Sequence, residues 1–173
     1  MCATCDLRAM IRATLRELDD WSAAAENLLL GTALQESGHS PRLRAGRRLG
    51  IYRITPVAHR AIWDRYLVQH PELASRVRGL AGQHAFLRDP HGELATNLKY
   101  ATAIAWMRYR QRRVQLPAAD DILALGRCWQ RLFNRRGPGK AADFVASWRA
   151  AAPRSTAPRS TALGSTAPRS KAA

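Results

Sequence analysis

Apolar residues recur at helical spacing along most of this chain. Leu7, Met10, Ile11, Leu15 and Leu18 repeat at three- and four-residue intervals, with Arg and Glu on the other face, the signature of an amphipathic packing helix. Asp19 and Asp20 end that helix or cap the next, and Trp21 is placed to act as a hydrophobic staple. A second helix is expected over 22–37, with Ala25, Leu28, Leu29, Thr32 and Ala33 facing inward and Gly38 stopping it. Gly31 interrupts this helix at a cost of ~1 kcal/mol relative to Ala, and its missing side chain lets another backbone or a ligand come close. Residues 38–50 carry two internal breakers and four arginines, which reads as a loop. I-Y-R-I-T then alternates enough for a short strand or extended turn.

Thr55-Pro56 supplies an N-cap followed by Pro at N1, and a helix is expected over 57–69. Further helices are expected over 72–80, 93–113, 121–133 and 141–150, with loops at 83–92 and 134–140. Seven or so helices, at most one short β element and no βαβ alternation make this a mostly-α single domain. From Ala152 a five-residue unit (A-P-R-S-T and its variants) recurs. It has almost no apolar bulk to repay ordering entropy, so 151–173 is expected to be a disordered tail. Residues 1–20 form a helix that packs on the domain, and 21–150 form the domain itself.

Length changes little in this picture, since 173 residues suffice for one real core. Charge changes more. The formal net charge of +15 falls only to +11 when the four basic residues of the tail, Arg154, Arg159, Arg169 and Lys171, are set aside. A body of that sign favours polyanions: nucleic acid, an anionic membrane surface or an acidic cell-wall polymer. No run approaches the ~18 apolar residues of a membrane span, so no membrane insertion is expected. The N-terminus lacks the apolar core of a signal peptide, so synthesis in the cytoplasm is expected. Cys2 and Cys5 form a lone CxxC without the second ligand pair that structural zinc needs. His39, His59, His70, His84 and His91 show no metal-ligand spacing. No metal and no organic cofactor is expected.

The residue that carries candidate chemistry is Glu36. It lies four positions after Thr32 and seven after Leu29, so it projects from the face that packs inward. A carboxylate there is costly unless it is protonated, paired or used. Glycoside cleavage needs a carboxylic acid still protonated near neutral pH, and burial shifts a carboxyl pKa in that direction.

The order of short motifs around Glu36 resembles the lysozyme-like lytic transglycosylases, in versions encoded by bacteriophages and prophages. Glu36-Ser37 ends a helix, G-I-Y-R-I-T-P follows, N-L-K-Y-A lies in a later helix and F-N-R-R-G comes last. The resemblance spans roughly 24–148. It implies a lysozyme-like fold with Glu36 as the catalytic acid and base and Ser37 in support. Gly50, Ile51, Tyr52, Arg53, Asn97, Tyr100, Phe133 and Asn134 would then line the substrate cleft. Arg53 stands where the family has Gln, and Phe133 where it usually has Tyr. Arg53 is expected to hold the Glu36 carboxylate ionised, or else to bind a substrate carboxylate or point away.

The activity implied is cleavage of the bond between N-acetylmuramic acid and N-acetylglucosamine in peptidoglycan, with closure of a 1,6-anhydro ring. The partners implied are peptidoglycan glycan strands, and virion or lysis proteins of a phage. Without an export signal, delivery to the wall would depend on lysis, a pore or a virion. Two other classes stay open: an inactive lysozyme-like structural or delivery component of a phage particle, and a basic nucleic-acid-binding helical protein.

Overall fold

The computed structural model of the protein describes residues 3–38, 44–135 and 137–151. The repeat tail, Cys2 and His39 lie outside the described residues. The architecture is mostly α. Helices α1 (Ala3–Glu17) and α2 (Ala23–Ser37) are followed by a hairpin of two two-residue strands, β1 (Arg44–Ala45) and β2 (Arg48–Leu49). Then come α3 (Pro56–Arg65), a 3-10 turn over Leu67–Gln69, α4 (Pro71–Gly79), α5 (Gln83–Arg88), α6 (Glu93–Thr96) and α7 (Leu98–Arg110). The last elements are α8 (Ile122–Cys128), a π turn over Trp129–Phe133 and α9 (Ala141–Ala151).

Helices α2 and α7 form the centre. In α2 the buried set runs almost without a break from Leu28 to Ala33, and in α7 from Tyr100 to Met107. A helix buried on all sides has no polar face to show, so these two carry the core and the others wrap them. Two buried hydroxyl pairs fix them. Thr32 Oγ1 of α2 lies 2.7 Å from the Tyr109 hydroxyl of α7, and the Tyr52 hydroxyl lies 3.1 Å from Thr102 Oγ1 of α7. One continuous apolar cluster includes Ile11 and Leu15 of α1, so α1 belongs to the same core as the rest. No helix among the described residues is long and apolar enough to cross a membrane.

Local signals account for most of the boundaries. The Ser22 hydroxyl accepts the Ala25 N–H at 3.1 Å, and Gly38 closes α2 at φ 55° with its N–H on Leu34 O. Ser22, not Asp19 or Asp20, is therefore the cap. Trp21 meets Glu26 through its indole N–H instead of stapling. Thr55 and Pro56 open α3 as expected, with the Ala58 N–H on the Thr55 hydroxyl at 3.2 Å.

Other expectations give way to tertiary contacts. Gly31 accommodates a side chain, not a backbone or a ligand. A Cβ there would fall 2.0 Å from Phe144 Cζ of α9. The stretch expected as one helix over 93–113 is broken at Asn97, which takes extended backbone and caps α7. The stretch expected as a loop over 83–92 contains α5. The β element lies upstream of I-Y-R-I-T, which instead closes as a tight turn. Leu49 and Ile54 exchange both backbone hydrogen bonds across it, at 3.0 and 3.1 Å. Gly50 is required in that turn: its φ is +66°, and a Cβ would lie 1.9 Å from the Leu94 carbonyl oxygen.

Candidate active site

The C-terminal end of α2 opens into a groove of about 410 Å³. Among the described residues it is lined by Glu36, Arg48 of β2, Thr55 and Ala58 at the start of α3, and Arg108 and Arg112 from the end of α7. Phe133, Asn134, Arg135 and Gly137 complete the lining from the chain that follows the π turn.

Glu36 sits at the floor of this groove, with its side chain only 9 % exposed. Burial pushes its carboxyl pKa up, and this outweighs the opposing pull of the Trp129 indole N–H and of Arg48, Arg108 and Arg53. The Trp129 Nε1–H donates to Glu36 Oε1 at 3.0 Å. Glu36 Oε2 is the oxygen nearer Arg48, whose Nη1 stands 3.8 Å away on a side chain 55 % exposed. One oxygen is therefore held as an acceptor and the other is available to carry a proton. A pair so loosely made and so solvated on the arginine side contributes little, which is why desolvation decides the direction.

The π turn makes this geometry possible. The Asn134 N–H reaches back five residues to Trp129 O at 2.9 Å. This wider turn puts Trp129 against Glu36 and Phe133 in the groove wall. Such turns often sit at functional sites. The loop that follows is built to close tightly. A Cβ on Gly137 would lie 1.7 Å from Asn134 Oδ1, and one on Gly139 would lie 2.5 Å from the Trp129 ring. Asn134 Nδ2 donates to Gly139 O at 3.4 Å, inside this loop. The two glycines of R-R-G-P-G-K thus let the loop wrap the tryptophan that orients Glu36.

The residues named from sequence divide into two groups. Glu36, Phe133 and Asn134 line the groove together. Arg53 sits just behind it at φ 50°, with its Nε–H on the Glu36 backbone carbonyl at 3.3 Å. Its Nε–H is spent on the main chain while its Nη1 is buried with no hydrogen-bond partner among the described residues, and the Glu36 carboxyl is pushed up despite the nearby charge. Arg53 pulls the Glu36 pKa down, as a nearby cation should, but burial outweighs that pull.

The other named side chains are not in the groove lining. Ser37 turns back on its own helix, with its hydroxyl 3.5 Å from Leu34 O. Gly50 is buried against Leu94, and Ile51 packs on the core. Tyr52 is fully buried and spends its hydroxyl on Thr102. Asn97 caps α7 through its Oδ1 and donates Nδ2–H to Leu80 O and to Glu93 Oε2, each at 2.9 Å. The Tyr100 hydroxyl is buried in a cluster with His59 Nε2 at 2.6 Å and the Trp63 indole N–H at 2.9 Å. His59 also meets His91, Nδ1 to Nδ1, at 2.9 Å, and burial holds its pKa down at about 4. These residues build the scaffold beside the groove and do not face it.

Sequence reasoning missed Trp129, Arg48, Arg108 and Arg112. The four-residue spacing of Arg108, in the last turn of α7, and Arg112, two residues past its end, was the available signal. For Trp129 the signal was an indole N–H in an apolar helix that needs a buried acceptor. Among the described residues no three His, Cys, Asp or Glu side chains gather as a metal-binding group. Comparison of the chain with protein-family models, with curated proteins and with solved structures gives no match.

Proposed function

We propose that the protein is a peptidoglycan-cleaving lytic transglycosylase that uses Glu36 as its only catalytic carboxyl group. The observation that carries this reading is a buried carboxyl, shifted toward its protonated form, at the floor of an open groove with no second carboxylate in the described lining. Hydrolysis by paired carboxylates needs a partner acid across the cleft. Anhydro-ring closure does not, because one group serves as acid and then as base.

In this reading the proton on Glu36 Oε2 passes to the glycosidic oxygen as the bond from the muramyl C1 breaks. The neighbouring acetamido oxygen stabilises the positive carbon. The resulting carboxylate then removes the proton from the muramyl 6-hydroxyl, whose oxygen closes on C1. Trp129 keeps Oε1 engaged throughout, so the proton moves on a single, fixed oxygen. The ordered motifs around Glu36 add the resemblance to lysozyme-like transglycosylases of phages, with delivery to the wall by lysis, a pore or a virion.

The test is to incubate the protein and its Glu36→Gln variant with purified sacculi and to analyse the released fragments by mass spectrometry. Anhydro-ended muropeptides from the first and none from the second are expected. Reducing-end products would make it a hydrolase. No fragments from either would return the chain to a non-enzymatic particle component or a nucleic-acid binder.

A further inference from the structure

We infer that the arginine wall beside Glu36 is a subsite for an anionic group on the glycan, a carboxylate or a phosphate, seated next to the bond that is cleaved. This rests on the proposed glycan-cleaving function. The subsite consists of Arg48, Arg108, Arg112 and Arg135.

The first argument is charge balance. Four guanidinium groups share the groove with a single described carboxyl, whose pKa burial pushes up. Elsewhere several basic side chains are matched, Arg8 and Arg12 with Glu26, Arg76 with Asp19, Arg110 with Asp20 and Lys99 with Glu17, whereas among the described residues the groove arginines have only the loose pair of Arg48 with Glu36 at 3.8 Å.

The second argument is how the half-buried arginines are held. Arg108 gives one N–H to Phe133 O and lies with its guanidinium carbon 4.3 Å from the Phe133 ring centroid. Its Nε is buried with no hydrogen-bond partner among the described residues. Arg112 is anchored on Leu132 O. Both are fixed by neutral groups, which position a cation without cancelling its charge. Burial and mutual repulsion lower the pKa values of both, Arg108 through Arg112 and Arg112 through Arg135. An arriving anion would relieve that repulsion.

The third argument is continuity. A second depression of about 390 Å³ shares Asn134, Arg135 and Gly137 with the groove and adds Arg127 and Arg131. The basic surface therefore continues away from Glu36 along one direction. That suits a substrate bearing acidic groups at intervals, such as a wall glycan with free peptide carboxylates or an attached phosphate polymer.

The test uses the full chain carrying Glu36→Gln, so that binding is read without turnover. Co-sedimentation is measured on native sacculi, on sacculi with carboxylates blocked by amidation, and on sacculi stripped of phosphate polymers by acid. Loss of binding on one treatment identifies the group. Arg48 and Arg135 are exposed, so Arg48→Met/Arg135→Met should stay folded, which a matching thermal melt checks. It is expected to bind native sacculi about tenfold more weakly and with a shallower salt dependence. Arg88→Met, at an exposed position outside the groove, serves as the control for net charge and is expected to bind as the parent does. Equal binding of treated and native sacculi, or an unchanged double variant, overturns the subsite. Duplex DNA bound more tightly than sacculi, and lost in the double variant, overturns it in favour of nucleic acid. The active protein, assayed in parallel for anhydro products, tests the catalytic reading separately from the subsite.

Discussion

Helix α2 carries two glutamates ten residues apart, Glu26, which is buried, and Glu36, whose side chain is mostly buried. Each accepts an indole N–H, from Trp21 at 2.9 Å and from Trp129 at 3.0 Å. Each has arginines nearby. Yet the Glu26 pKa is lowered from 4.5 to about 2, while that of Glu36 is raised. Three differences separate them. Glu26 is gripped by Arg12 through two hydrogen bonds, at 2.7 and 3.0 Å, and by Arg8 at 2.9 Å. Among the described residues Glu36 has one cation within 4 Å, Arg48 at 3.8 Å. Glu26 also lies in the first turn of α2, where the macrodipole favours a negative charge, and Glu36 lies in the last, where it opposes one. Burial raises both pKa values, and at Glu26 the hydrogen bonds from Arg12, Trp21 and Arg8 together reverse it. The lesson is that a buried carboxylate with a full set of cationic donors is a structural clamp. One with a single neutral donor and an open side is fit for proton transfer.

The sharpest way to break this comparison is to neutralise each carboxyl in turn. Glu36→Gln is expected to lower turnover on sacculi by about 10³-fold, within the range of a lost general acid, and to leave stability unchanged or slightly higher. Glu26→Gln should leave product identity unchanged. It should cost about 2–3 kcal/mol in urea unfolding, because Arg8, Arg12 and Trp21 lose their shared acceptor and the arginines are partly solvated. A Glu36→Gln variant that unfolds as readily as Glu26→Gln would make both clamps.

A smaller effect comes from the orienting indole. Trp129→Phe keeps an aromatic ring and removes the N–H that lowers the Glu36 pKa. It should cut turnover about tenfold and move the alkaline limb of the pH profile, where Glu36 ionises, to higher pH. A loss of rate with an unmoved profile would make Trp129 a packing residue only.

The pH dependence of stability sharpens the contrast further. Stability from Glu26 is full above its unfolded value of 4.5 and is lost as pH falls toward about 2. Glu36 has the opposite sign: its ionised form burdens the fold at neutral pH, and lowering the pH through its raised pKa relieves that burden. The buried His59, lowered from 6.5 to about 4, loses its contribution over a higher window, as pH falls from 6.5 toward 4. Urea unfolding followed from pH 7 to 2 should show a shallower loss below pH 4.5 in Glu26→Gln. The smallest expected change is for Arg48→Met alone. It should alter stability by less than about 0.5 kcal/mol because the arginine is mostly solvated.

Much of the fold was legible along the chain. The apolar spacing of α1, α2 and α9, the Thr55-Pro56 opening of α3 and the Gly38 stop of α2 are local signals with local causes. The break at Asn97 was not legible. Apolar spacing continues through it, and the cap is made by a side chain whose other donors reach Leu80 and Glu93. The site was legible in part. Glu36 was identified from its place on an inward face, and Phe133 and Asn134 from an ordered motif. Tyr52, Asn97 and Tyr100 were drawn to the site by the same motif, and their polar atoms instead bond inside the scaffold.

By itself the sequence determined that the chain is mostly helical, that its body is strongly basic, and that one acidic side chain lies on a buried helical face. These are matters of spacing and composition, which need no knowledge of what lies across the core. Only the tertiary structure decided which partner each buried glutamate meets. It also decided that Arg53 spends its donor on a backbone carbonyl and that four arginines separated in sequence share one groove with Glu36. The physical reason is that hydrogen bonding and desolvation at a carboxyl depend on atoms within about 3–4 Å. Helix packing, not chain order, brings those atoms together.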